Sequence, residues 1–371
     1  MCLKELLNDL QERGIVSNQA NPDNFFRLKP SERVIYWGVD CTSDSLHIGH
    51  LFQIIQLFRL VRKGFKVIFL LGGATSQIGD PSDKKEEREK LGEETLNNNL
   101  FKIKEQLLKI VSRWDDIDFS SLLPLEIFFS DQPQLLHKIY QILGMKIADS
   151  HITNWNSFVR LIGLFPKDKE SFSVIDNLWL DKISCINFLN LLNSGGISTN
   201  YLLSKDWVRR RLKVGGLSYS AFSYSLLQAY DFYYLYSNYG CFGQLGGSDQ
   251  WGNITTGLKL IRSLIPESRP FAFSLVLLTD KKKEKLSKTK ISKNFLLFPE
   301  DFYDFFRNMS DEQTKEYLIG FTSLTRHQIE EIISLNNPPS LRIGQRLLLE
   351  LLWFLNFGDM NSLQTIHLLK K

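Results

Sequence analysis

The stretch Asp40-Cys41-Thr42-Ser43-Asp44-Ser45-Leu46-His47-Ile48-Gly49-His50-Leu51 decides how this chain is read. A short apolar strand candidate, Val34-Ile35-Tyr36-Trp37, stands before it, and an apolar-periodic helix follows it to about Lys63. Thr42, Ser43 and Asp44 are all good N-cap residues, so the helix is expected to begin near Ser45 or Leu46. That start places His47 and His50, at i and i+3, on one face of the first turns. Gly49 between them has no side chain and lets a ligand approach the backbone. Free N–H groups, the positive end of the helix dipole and two imidazoles together favour an anion. The strand-turn-helix therefore reads as a phosphate site. Two plainer readings compete with it: Cys41, His47 and His50 as metal ligands, or histidines merely satisfied at a helix start. No partner cluster with zinc-site spacing supports the first.

With 371 residues, the chain can hold one large domain and a smaller one. Its 43% apolar and 23% charged residues are those of a globular protein, and no apolar run approaches membrane-spanning length. Glu5, Asp9 and Glu12 give the N-terminal stretch an acidic amphipathic pattern that resembles neither a signal nor a transit peptide. Cys2, Cys41, Cys185 and Cys241 are scattered, which suits reduced thiols and a cytoplasmic location. A net charge of +4 is compatible with nucleic acid without demanding it.

Strand and helix candidates alternate along the chain. Lys66 to Leu71 reads as a buried strand ending in Gly72-Gly73, followed by a charged loop to Gly92 and a helix from about Glu93 to Val111. Leu125 to Phe129 reads as another strand, Ser204 to Leu212 as a basic helix, and Ser220 to Tyr236 as a long aromatic helix. Phe242 to Leu245 and Phe271 to Leu278 are the remaining strand candidates, with a helix between them ending at Leu264. Beyond Pro299 only helical periodicity is found. The expected fold class is α/β: a Rossmann-like, doubly wound parallel sheet with ligands at the strands' carboxyl ends, followed by a small all-helical domain. The expected division is an N-terminal helical segment over residues 1–32, a nucleotide-binding domain over 33–295 with an insertion at about 133–219, and a helical domain over 296–371.

Three further motifs carry chemistry. Lys285 and Lys288, in Lys285-Leu286-Ser287-Lys288-Thr289, can reach a polyphosphate from a loop, although such a run is more often a solvated surface. Gly246-Gly247-Ser248-Asp249-Gln250 permits close backbone approach, and Asp249 can accept hydrogen bonds from ribose hydroxyls; a plain turn is the alternative. In the aromatic helix Tyr224, Gln228 and Asp231 fall at i, i+4 and i+7, so one face carries a phenol, an amide and a carboxylate. That face suits a pocket lining or a buried structural network.

Together these segments resemble the bacterial-type tyrosyl-tRNA synthetases among class I aminoacyl-tRNA synthetases. The carriers are Tyr36-Trp37-Gly38-Val39-Asp40, SLHIGHL from Ser45, LLGGATSQIGDPS from Leu70, FSYSLLQAYDF from Phe222, QLGGSDQWGNIT from Gln244, and KLSKT from Lys285. Their order and spacing are the family's, over nearly the whole chain to about residue 357. The HIGH and lysine motifs mark only the class; the aromatic helix and the GGSDQWGN segment mark the tyrosine enzyme.

The resemblance implies a tyrosine–tRNA ligase that forms tyrosyl-adenylate and pyrophosphate from L-tyrosine and ATP, then esterifies tRNA(Tyr). Mg2+ would travel with the ATP as substrate, with no tightly bound cofactor. Tyr36 and Asp231 would contact the substrate phenol; Tyr224, Asp80 and Gln228 its ammonium; Gln250 and Asn177 would lie nearby. Asp40, Thr42, His47, Gly49, His50, Gly247 and Asp249 would line the ATP and adenylate site. Lys84, Arg88, Lys285 and Lys288 would hold the β- and γ-phosphates. A homodimer is implied as well. Positioning and electrostatic stabilisation would carry the rate, since no covalent enzyme intermediate is needed.

The sequence departs from the pattern in places. Cys41 replaces the family's usual proline, which is expected to loosen the turn without removing a ligand. Leu286 and Thr289 vary the lysine loop, and one extra glycine stands at Gly215-Gly216. The family's tyrosine-aspartate-tryptophan run after Asn177 becomes Leu178-Trp179-Leu180. The usual C-terminal RNA-binding module is expected to be missing after residue 357. Within the class the tryptophan ligase is the nearest rival, and Asp231 with Tyr36 speaks against it. From another class, an RNA-binding protein that has lost ligation is opposed by the retained histidines, lysines and tyrosine-facing helix.

Overall fold

The central strand β3 (Lys66–Gly72) is buried from Val67 to Leu71 on both faces, the mark of a strand inside a parallel sheet. In this computed structural model it lies in a six-stranded sheet with β1 (Val16–Ala20), β2 (Val34–Asp40), β4 (Phe172–Asp176), β5 (Gly243–Gly247) and β6 (Phe271–Leu275). The strand order is β1-β6-β5-β2-β3-β4. Every neighbouring pair is parallel except β1 with β6. The structure describes residues 2–81, 91–117, 125–126, 129, 131–145, 151–165, 168–278, 298–336 and 341–369.

The chain divides into two compact units. The first comprises Met1–Asp44, Lys63–Glu105 and Ser171–Leu278. It holds the whole sheet, the helix that begins at Glu93 and the aromatic helix Tyr219–Tyr239. Ser218 caps the aromatic helix, its Oγ accepting from Ala221 N–H, and Gly240, at φ 59°, ends it in the left-handed conformation. Phe232 from this helix sits over Gly257 of the helix Trp251–Leu264, where a Cβ would already touch the ring. Tyr36, Ile68, Leu70, Trp179, Phe232, Leu235, Ile254 and Ala272 form one buried cluster between sheet and helices. This layering is the Rossmann-like α/β class expected from the sequence.

The second unit comprises Ser45–Arg62, Gln106–Glu170 and Thr279–Lys371. Its helix Ile48–Val61 is apolar nearly all round, which is the pattern of a helix enclosed by others. Phe52 meets Phe321 edge-on, and Gln56 Nε2 donates to the carbonyl of Gly320 at 3.0 Å. The helix Ile343–Phe357 is likewise enclosed, and Arg113 Nη2 donates to the Asn356 carbonyl near its end at 2.9 Å. Glu350 on that helix is fully buried, and burial pushes its carboxyl well above the usual range. Arg346, one turn earlier, lies over the Phe129 ring at 5.1 Å.

Several local expectations change. The helix after the quoted stretch starts at Ile48 with His47 as its N-cap, not near Ser45 or Leu46. Thr42, Ser43 and Asp44 stay in the loop, and Leu46 N–H is taken by Gln106 Oε1 at 2.9 Å. Leu125 and Glu126 are helical rather than extended, and Phe129 N–H donates to the Leu125 carbonyl. Both Leu125 and Phe129 are fully buried at i and i+4, a spacing that an apolar run alone does not separate from a strand. Strand β1 lies inside the segment read as helical, and β4 lies where the sequence announces no strand. Both are edge strands; β1 has the sequence VSNQA, with too few apolar residues to announce itself.

Candidate active site

At the carboxyl ends of β2 and β3, Asp40 receives hydrogen bonds on both oxygens. Thr75 Oγ1 donates to Oδ1 at 2.9 Å; Asp80 N–H, at 3.1 Å, and the Tyr224 hydroxyl, at 2.9 Å, donate to Oδ2. Any Cβ at Gly72 would run into Asp40 Oδ1 and Thr75 Oγ1, so glycine is required for this approach. Thr75 in turn accepts from Asn177 Nδ2 at 3.2 Å, while Asn177 Oδ1 accepts from Ala74 N–H at 2.9 Å. Asn177 Nδ2 also donates to Asp231 Oδ2 at 3.0 Å, and Trp179 Nε1 donates to Asp231 Oδ1 at 2.8 Å. One hydrogen-bond chain thus joins Tyr224, Asp40, Thr75, Asn177, Asp231 and Trp179.

Asp231 is buried, and loss of solvent pushes its carboxyl up to about 8. The Asn177 and Trp179 bonds oppose that rise, and the Asp40 charge adds to it. Tyr36 faces this carboxylate from β2; burial first, and then the Asp231 charge, pushes its hydroxyl well above the usual phenol range. Its hydroxyl oxygen is buried without a hydrogen-bond partner among the described residues, as is Gln228 Oε1. Such atoms are costly unless a ligand satisfies them. Tyr224 is shifted upward by burial and then by Asp40, Asp80 and Asp231, so three carboxyl groups surround one phenol. That field suits a cationic amine. Gln250 Nε2 donates to Asp80 Oδ2, and Asn253 Nδ2 donates to Gln250 Oε1 at 3.3 Å.

The expected residues Tyr36, Asp40, Asp80, Asn177, Tyr224, Gln228, Asp231 and Gln250 all lie in the first unit. Gly247 ends β5, Asp249 follows in a short 3-10 turn, and Thr42 lies partly buried in the loop leaving β2. His47, Gly49 and His50 belong to the second unit. There the two imidazoles stack with centroids 3.6 Å apart, and His50 Nδ1 accepts from His47 N–H at 3.2 Å. Gly49 makes room for the His47 ring, whose Cε1 would lie 3.0 Å from a Cβ at that position. Lys84, Arg88, Lys285 and Lys288 lie outside the described residues.

Sequence reasoning missed Thr75 and Trp179 as parts of this constellation. Their signal was present: a threonine after paired glycines at a strand end, and an indole two residues from an amide. The altered run after Asn177 still supplies the indole that grips Asp231. The turn at Cys41 carries hydrogen bonds of its own. Its N–H donates to Ser76 Oγ at 2.7 Å, a bond that proline cannot make, and its carbonyl accepts from Asn99 Nδ2 at 3.0 Å.

The titration of Asp231 has a direct consequence. With an elevated value near 8, the carboxyl is largely protonated at pH 7 and ionised at pH 9. Asn177 and Trp179 already donate to it, and a phenolic ligand donating as well favours the ionised form. For such a ligand, kcat/KM is therefore expected to rise from pH 7 and level off above about 8. The same measurement on Asp231→Asn should be flat; a flat wild-type profile would remove Asp231 as the titrating group.

Known proteins resemble this chain over most of its length. A family model described as tRNA synthetases class I (W and Y) matches residues 29–350. The tyrosine–tRNA ligase of Geobacillus stearothermophilus is 35% identical over 370 residues, covering 98% of this chain and 76% of that relative. That of Staphylococcus carnosus is 33% identical over 353 residues, covering 93% and 71%. Among solved structures, a C-terminally truncated mitochondrial tyrosyl-tRNA synthetase of Aspergillus nidulans superposes with a TM-score of 0.69 at 26% identity, covering 98% of this chain and 93% of that one. The chain belongs to the class I tRNA synthetases of the tryptophan and tyrosine family, and within it to the tyrosine–tRNA ligases.

Proposed function

We infer that this chain joins L-tyrosine to tRNA(Tyr) in two steps. The tyrosine carboxylate attacks the α-phosphorus of ATP, giving tyrosyl-adenylate and pyrophosphate. The terminal adenosine hydroxyl of the tRNA then displaces AMP. The observation that carries the substrate assignment is the buried Asp231, gripped by Asn177 and Trp179 and faced by the unsatisfied Tyr36 hydroxyl. A phenol between them can donate to Asp231 and accept from Tyr36. An indole has no oxygen to accept that second bond.

At the other end of the substrate, Tyr224, Asp80 and Gln228 receive the ammonium group, supported by the surrounding carboxylates and by the buried Gln228 Oε1. Gln250 holds Asp80 in place. Asp40 acts less as a ligand than as the knot tying β2 to the loop after β3, with Thr42, Gly247 and Asp249 on the nucleotide side. His47, Gly49 and His50, with Lys84, Arg88, Lys285 and Lys288, serve the phosphates by the class pattern. Mg2+ enters with ATP as part of the substrate. Positioning and charge stabilisation are the whole of the protein's task in this reaction.

The proposal includes a homodimer and a cytoplasmic location. The four described cysteines are all free, which suits a reducing compartment. Among the described residues no helix is long and apolar enough to cross a membrane. Tyrosine-dependent ATP–pyrophosphate exchange, followed by charging of tRNA(Tyr), tests the activity. Exchange with tyrosine and not with tryptophan is the expected result; exchange driven by tryptophan would overturn the assignment.

A further inference from the structure

The backbone of Cys41 is held on both sides by buried side chains from elsewhere in the first unit. Ser76 Oγ takes its N–H at 2.7 Å, and Asn99 Nδ2, from the helix Glu93–Val111, takes its carbonyl at 3.0 Å. Cys41, Ser76 and Asn99 are 1%, 5% and 5% exposed, so water does not substitute for these bonds. One turn further along the same helix, Lys102 reaches Asp44 at 3.5 Å. The loop leaving β2 is therefore pinned at its first peptide and again at Asp44. Cys41 directly follows Asp40 and directly precedes Thr42, so this peptide sets the direction in which the loop departs.

We propose that Ser76 and Asn99 are positioning residues that clamp the Cys41 peptide and so hold the nucleotide-side loop for adenylate formation. The clamp replaces a ring with hydrogen bonds. Proline at this position would restrict φ covalently and would need no N–H partner, whereas cysteine leaves both φ and a buried donor to be satisfied. Asp40 is already extended as the last residue of β2, the conformation that a following proline demands. Ser76 supplies what the cysteine lacks.

The clamp acts on one side of the site only. The Asp40 carboxylate is fixed independently by Thr75, Asp80 and Tyr224, and Asp231 by Asn177 and Trp179. Releasing the Cys41 peptide thus leaves the tyrosine end intact and disturbs the ATP end.

The inference rests on the tyrosine-activating reading above, and the test separates the two. Ser76→Ala is expected to lower the rate of tyrosine-dependent exchange at saturating substrates about tenfold, as a small misplacement of a reacting geometry does. The KM for tyrosine should stay within about twofold, the signature of an interaction absent from tyrosine binding. Asn99→Ala, which removes the Nδ2 donor to the carbonyl, should act in the same direction. Adding Cys41→Pro to Ser76→Ala should restore most of the rate, because the proline ring restrains the peptide and has no donor to strand. A merely structural bond would lower the melting temperature without changing the rate per active site, which titration of the adenylate burst counts. Unchanged rates in both single variants, a parallel rise in tyrosine KM, or no recovery with proline would overturn the clamp. Absence of exchange in the wild-type protein would overturn the activity reading and the clamp together.

Discussion

Replacing Asp231 with alanine is expected to lower tyrosine activation by about one to two powers of ten while leaving the protein folded. The carboxylate accepts from Asn177 Nδ2 and Trp179 Nε1; when it goes the indole N–H loses this partner and Asn177 Nδ2 keeps its bond to Thr75 Oγ1 but has one N–H stranded. A bound tyrosine then adds a third unpaired group, its own hydroxyl. The stranded protein donors cost the free variant stability and cancel from kcat/KM, which falls by the tyrosine hydroxyl's lost bond to a charged group, about 1.5–3 kcal/mol or one to two powers of ten. The same geometry predicts that phenylalanine is a poor substrate of the wild-type protein, since it satisfies neither Asp231 nor the Tyr36 hydroxyl. A discrimination of about 10⁵ is the standard figure for this enzyme type and is adopted as such, not obtained from the geometry. Exchange assays with both amino acids decide the matter. Asp231→Ala should lose most of its activity toward tyrosine and much less toward phenylalanine, so the ratio falls. Tyrosine activation within tenfold of wild type would mean that another group reads the phenol.

His50→Ala is expected to slow adenylate formation about a hundredfold with little change in tyrosine affinity, the effect of removing one donor to developing phosphate charge. The structure adds a complication that the experiment can use. His50 Nδ1 is also the acceptor for His47 N–H at the start of the helix Ile48–Val61. Alanine removes this capping interaction, at a cost of about 1 kcal/mol in stability. Glutamine at the third helical position can keep an acceptor there. His50→Gln should therefore recover the melting temperature lost in His50→Ala but only part of the rate. Equal recovery of both would show that the imidazole matters for the helix alone. Single-turnover adenylate formation at saturating ATP, beside thermal melts, separates the two roles. Lys288→Ala carries the same kinetic expectation from its motif.

Legibility from sequence followed the range of the interactions. Tyr224, Gln228 and Asp231 were readable as one face because helical spacing is local, and β2, β3 and the long aromatic helix because their apolar patterns are strong. Trp179 was not readable as a partner of Asp231, since the two are 52 residues apart and their bond depends on how separate elements meet. The start of the histidine helix at Ile48 is hidden in the sequence by three good capping residues before it, Thr42, Ser43 and Asp44. The chain uses none of them, since its path from Cys41 to Leu46 is held instead by Asn99 and Gln106. The departure at Cys41 looked like a loss because proline's constraint is visible in sequence, whereas the Ser76 hydroxyl that replaces it is 35 residues away.

Strand β1 has a consequence for how the protein is made. It is the first of the six strands to be synthesised, yet among the described residues it pairs in the sheet with β6 alone, and the neighbouring bond from Asn21 Nδ2 to the Pro270 carbonyl spans 249 residues. At ribosomal rates of about 5–20 residues per second, that partner is about 10–50 s away. The waiting strand, VSNQA, is short and polar, a poor template for association with other chains. β6, FAFSL, is apolar and fully buried, but it emerges last and finds β5 on one side and the waiting β1 on the other. The order of synthesis thus shelters the sticky strand β6 and leaves the polar β1 as the one that waits for it.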